Sequence, residues 1–143
     1  MSTGAIDQDI WQPFMAAYPA LDFELAASVY SEELLHAGGP TRVAQDRESY
    51  LADLRAFFDR AREIGDAFAI EFRFTERIVG DGIASERGVF RIDIHLASGE
   101  RHPSYGRFHV FERVENGAWR ILTDFDELGA TAEDFDAAEP IAG

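Results

Sequence analysis

Gly106-Arg107-Phe108-His109-Val110-Phe111-Glu112-Arg113 and Asn116-Gly117-Ala118-Trp119-Arg120-Ile121-Leu122-Thr123-Asp124-Phe125-Asp126 read as two strands of one antiparallel hairpin. Phe108 and Val110 alternate with Arg107, His109 and Phe111. Asn116-Gly117 suits a tight hairpin turn, because both residues tolerate the positive φ such a turn demands. Beyond it, Trp119, Ile121, Thr123 and Phe125 alternate with Arg120, Leu122, Asp124 and Asp126. A period of two puts the apolar set on one face and arginine, histidine and carboxylate on the other.

The same period runs upstream. Phe68, Ile70, Phe72 and Phe74 alternate with Ala69, Glu71, Arg73 and Thr75, and Gly80-Asp81-Gly82 turns into a run where Phe90, Ile92, Ile94 and Leu96 alternate with Val89, Arg91, Asp93 and His95. Four strands therefore form an antiparallel meander. Before them the apolar spacing is helical: Ile6, Ile10, Phe14 and Ala17 mark a helix over 6–17 that Pro19 ends, and 21–29 a shorter one. A brief strand spans 32–37 up to Gly38-Gly39-Pro40, and a long helix spans 47–64 up to Gly65. Helices gathered ahead of an antiparallel sheet predict an α+β fold with the helices on one face.

A chain of 143 residues is one domain, here 1–143. Its core is expected over about 6–127, with an acidic, solvated or disordered tail over 128–143. The absence of cysteine excludes a disulfide framework and thiolate metal sites and fits a cytoplasmic location. Neither a leader-like N-terminus nor a membrane-length apolar run is seen. A net charge of -14 opposes nucleic-acid binding. His95 and His109 complete no metal motif, and neither Gly80-Asp81-Gly82 nor Gly38-Gly39-Pro40 is a phosphate loop, so neither metal nor cofactor is expected.

The element order, with the 106–113 and 116–121 runs, resembles the nuclear transport factor 2-like superfamily, and particularly its SnoaL-like bacterial members, over roughly residues 6–127. The resemblance implies a cystatin-like cone: a curved sheet around N-terminal helices, an apolar pocket at the wide end, and homodimers through the sheet. Members include isomerases, dehydratases, hydrolases, cyclases and non-catalytic binders, so fold alone carries no activity. The ketosteroid isomerase pattern needs a carboxylate base on the short strand and a tyrosine on the first helix; Gly38 and Phe14 stand there, which excludes that chemistry with those groups. The limonene epoxide hydrolase pattern is matched by Arg91-Ile92-Asp93 with Asp124 if the strands align without a gap. A one-residue bulge would instead bring Val89 and Thr123 to the two aspartate positions.

Strand parity arbitrates, since a one-residue slip turns every side chain to the other face. Phe72, Phe74, Ile92, Ile94, Phe108, Val110, Ile121 and Phe125 are expected to face the helices. Arg73, Arg77, Arg91, Arg107, Arg113 and Arg120 are then expected outside with Glu71, Asp93, Asp124 and Asp126, as solvated ion pairs or a dimer face. A catalytic Arg91-Asp93-Asp124 group needs the opposite parity or a bulge. His36, in phase with Leu34, points to the interior as a proton carrier, with a satisfied core histidine as the other reading. Candidate catalytic residues are thus His36, Tyr50, Asp124 and Tyr105. Candidate ligand contacts are Trp11, Phe14, Tyr18, Tyr30, Phe57, Phe72, Phe74, Phe108, Thr123 and Phe125. The expected function is binding of a small hydrophobic molecule, with cofactor-independent isomerase, lyase or hydrolase chemistry; the alternative is a non-catalytic ligand-binding or dimerisation module.

Overall fold

The computed structural model describes residues 2–141, so the last two residues of the expected tail lie outside it. The first helical segment opens as α1 (Gly4–Ile6), widens into a π turn (Asp7–Trp11) and continues as α2 (Gln12–Ala20). Pro13 has no N–H to offer the Asp9 carbonyl, and the widened turn, with Gln12 N–H bonding to Asp7 O, absorbs the gap. Both Ile10 and Trp11 are buried as a result. Pro19 does not end this helix; Leu21 does, in a left-handed cap at φ 51.

Next come α3 (Phe23–Ala27), capped by Asp22, the strands β1 (Tyr30–Gly38) and β2 (Val43–Asp46), and α4 (Arg47–Ile64), capped by Asp46. The meander follows as β3 (Ala67–Val79), β4 (Ile83–His95), β5 (Arg101–Glu115) and β6 (Ala118–Leu128). Asn116 and Gly117 both carry positive φ, as the hairpin turn requires. The curved sheet is ordered β2-β1-β6-β5-β4-β3-β7, where β7 is the short C-terminal strand Glu139–Pro140, with β1 parallel to β6. Its concave core joins Ile6, Ile10, Trp11 and Phe14 to Leu54 and Phe58 of α4 and to Phe72, Phe108 and Ile121.

Two bulges break the expected parity. In β6, Phe111 pairs with Thr123 and Glu112 with Ile121, so Leu122 is an extra residue. Asp124 is therefore buried and Asp126 partly buried, whereas Phe125 is turned out and 41% exposed. In β3 the pairing skips Thr75, which turns Arg77 inward beside Glu86. Arg77, Asp124 and Asp126 are thus not on the outer face, and Phe125 is not on the inner one.

The expected tail also forms structure. Thr131 and Asp134 close a capping box on α5 (Ala132–Ala137), and β7 (Glu139–Pro140) pairs with β3. Phe135 is buried on the outer sheet face among Val89 and Tyr105, with the Arg73 guanidinium 4.2 Å and that of Arg91 5.0 Å from its ring. Alternating charge alone does not reveal that an aromatic residue from a distant helix will cover it.

Gly88 faces the β3 bulge, and a Cβ there would overlap the Arg73 carbonyl. Gly88→Ala is expected to cost about 1–3 kcal/mol of overpacking, read as a lowered urea midpoint at constant m-value.

Candidate active site

A cavity of about 170 Å³ lies between α2, α4 and the concave sheet. Trp11, Phe14, Tyr18, Phe72, Phe90, Phe108, Val110 and Ile121 make most of its wall, and Ile70 and Ile92 extend it. Gly39 and Pro40, in the turn after β1, stand at the margin with Tyr50. Among the described residues lining it, only His36, Asp124 and Asp126 bring titratable groups other than tyrosine hydroxyls. His36 is paired directly with Asp124 across the parallel β1–β6 ladder, and Asp126 is two residues further on the same face. The three offer donor atoms all within 4.8 Å of one another.

His36 Nε2 is 2.8 Å from Asp126 Oδ2, so with the carboxylate ionised that nitrogen donates. Its ring stacks on Tyr50 with centroids 4.0 Å apart. The other nitrogen, Nδ1, is buried and lacks a hydrogen-bond partner among the described residues. Burial, and next the charge of Asp126 and a hydrogen bond to it, push the Asp124 carboxyl well above the usual carboxylate range. Asp124 therefore keeps its proton and is a donor. Tyr30 and Tyr50 place their hydroxyls 3.2 Å apart, and burial raises the pKa of both, and of Tyr18, so all three stay protonated donors. A metal ion would find one imidazole and two carboxyls here, but it would have to displace the Asp124 proton and the His36–Asp126 hydrogen bond.

Of the four catalytic candidates, His36, Tyr50 and Asp124 meet in this cavity. Tyr105 does not: it packs on Phe135 across the outer face, with ring centroids 5.8 Å apart. Of the ligand candidates, Trp11, Phe14, Tyr18, Phe72 and Phe108 line the cavity, and Tyr30 stands behind Tyr50. Phe57 is 41% exposed, stacked on Phe58 and Phe68, because the buried stripe of α4 runs through Leu54, Phe58 and Ala61 instead. Phe74 packs beneath Trp11 and Phe108, outside the cavity wall. The Thr123 hydroxyl accepts from Phe111 N at the bulge, and Phe125 faces outward.

The epoxide hydrolase arrangement is not assembled. Arg91 and Asp93 bond to each other on the outer face, Arg91 also reaching Glu71, while Asp124 lies inside. Gly38 has φ 108, and a Cβ there would overlap the Asp126 carbonyl, so no side chain fits where the ketosteroid isomerase pattern has its base. The cavity's carboxyls come from β6 instead. Asp126 was missed as a site residue, yet its spacing of two from Asp124 makes both share a face whichever way the strand turns.

No family model and no curated protein matches the sequence. Solved structures do match in shape. A conserved protein of Planctomyces limnophilus superposes with a TM-score of 0.73 at 17% identity, over 87% of this chain and 94% of that one. A ketosteroid isomerase-like protein of Erwinia carotovora gives 0.67 at 15%, over 90% and 96%. An NTF-2-like protein of Shewanella oneidensis gives 0.68 at 18%, over 89% and 99%. The fold is nuclear transport factor 2-like. No helix among the described residues is long and apolar enough to cross a membrane.

Proposed function

We propose that the cavity binds a small, mostly apolar carbonyl compound and moves a proton on it. A protonated Asp124 turns its single O–H from Asp126 to the guest's carbonyl oxygen. Asp126, oriented by His36 at 2.8 Å, takes a proton from the carbon beside that carbonyl; the C–H bonding pair becomes a carbon–carbon double bond as the carbonyl π pair moves onto oxygen, giving an enolate. His36 holds Asp126 in place through its Nε2–H, and Asp126 returns the proton to the same or a different carbon. The carrying observation is the pairing of a buried, protonated carboxyl with a histidine-bound one in an otherwise aromatic cavity. Two carboxyls with separated tasks are what acid and base roles require.

Solvent deuterium uptake into 2-cyclohexenone, followed by NMR, tests this. The wild type is expected to accelerate uptake, and Asp126→Asn or His36→Gln to lower the rate at least about a hundredfold with the fold intact by circular dichroism. If the ketone shifts cavity resonances in the wild type while uptake stays at the buffer rate, the pocket is a binding module and the proton-transfer reading is wrong.

A further inference from the structure

We infer that the guest is an uncharged compound of a single ring bearing one carbonyl oxygen, and that Phe90, seated on Gly106, sets this limit. The inference deepens the proton-transfer reading by naming its substrate class, while the size limit stands on the cavity alone. The volume is about 170 Å³. An apolar cavity of about 150 Å³ holds benzene, whereas drug-sized ligands occupy roughly 300 Å³ or more. A second fused ring therefore exceeds the enclosed space and has to displace a wall or project past the margin at Gly39 and Pro40.

Phe90 is the wall that fixes the limit. It pairs across the strands with Gly106, and a Cβ on Gly106 would overlap the Phe90 ring and the Glu127 carbonyl. The ring thus occupies space that any other residue at position 106 would fill, with Phe72 6.5 Å away on its inner side. Phe90 is 7% exposed and Gly106 is buried, so the ring has no outward route.

Charge selects as strongly as size. The polar end of the cavity holds a carboxyl that keeps its proton and a carboxylate already matched by His36, on a chain of net charge -14. An anionic guest meets one carboxylate and, among the described residues lining the cavity, no free cation. An ammonium guest would have to strip Asp124 of its proton or break the His36 contact.

The test measures binding of 2-cyclohexenone, the two-ring ketone 1-tetralone and cyclohexanecarboxylate by calorimetry. The wild type is expected to bind the single-ring ketone at least about tenfold more tightly than 1-tetralone, and the carboxylate not at all. Phe90→Ala should narrow or reverse that ratio; Phe90→Leu, a smaller loss of volume, serves if alanine prevents folding. Equal or tighter binding of 1-tetralone by the wild type, binding of the carboxylate, or an unchanged ratio in a folded Phe90 variant overturns the inference. A preserved ratio without deuterium uptake supports the size limit while rejecting proton transfer, so the two failures are distinguishable.

Discussion

Arg77→Met is expected to lower the unfolding free energy by about 3–5 kcal/mol, because it strands two buried carboxylates. The β3 bulge aims Arg77 into the interior, where its guanidinium bonds to Asp7 and Glu86 and lies 3.9 Å from the Phe74 ring centroid. Glu86 is fully buried and also accepts from Trp11 Nε1 at 2.8 Å, so one cation holds the π turn, the cavity-wall tryptophan and the sheet in register. Without it Asp7 and Glu86 face each other's charge with no counter-ion. Urea unfolding near pH 7 measures the loss, with Arg107→Met as a control. Arg107 pairs with Asp134 on the surface, where an ion pair is worth about 1 kcal/mol or less. Losses of similar size in the two variants would show that Arg77 is not the keystone of this cluster.

Glu112→Gln is expected to do the opposite and stabilise the protein at pH 8, by roughly 2–4 kcal/mol. Neither Glu112 carboxyl oxygen has a hydrogen-bond donor among the described residues. Burial, then a hydrogen bond to Glu86 and the charge of that residue, push its pKa from the ordinary 4.5 up to about 10. Folded protein thus retains a proton that the unfolded chain releases near pH 4.5, and retains it up to about pH 10. The contribution to stability is complete below the unfolded value and is lost as pH rises through that window. Asp124, raised in the same direction, adds to the decline. Unfolding free energies from pH 5 to 9 should fall in the wild type by up to about 1.4 kcal/mol per pH unit for each such proton. Glutamine keeps a donor toward Glu86 without the proton, so its profile should be flatter by one proton. Parallel profiles for the two proteins would show that Glu112 is ionised in the fold.

Much of the architecture is legible in local pattern. The helix over 47–64 follows from its apolar spacing and from Gly65, which takes φ 82 at the cap. The meander follows from alternation and from Asn116-Gly117. The site was legible in pieces: His36 follows from its phase with Leu34, and the aromatic wall from apolar residues that needed burial. The errors of strand parity have one cause. Leu122 and Thr75 are unremarkable residues at which a strand gains one position, and everything after them turns over. Uninterrupted alternation therefore puts Asp124 and Arg77 on the outer face and Phe125 in the core, the reverse of where they lie. Nothing local marks either bulge, because a bulge answers to the partner strand and to what must fit beneath the sheet.

Composition and periodicity by themselves determined an α+β fold with an aromatic-rich core, since burial between helices and sheet is the favourable place for most of its phenylalanines. Only the tertiary structure decided that two aspartates and a histidine share that interior, that Arg77 neutralises Asp7 in a helical turn 70 positions away, and that Phe135 roofs the outer arginines. Burial of a charged group is decided by partners distant in the chain, and its solvation cost is met only where those partners converge.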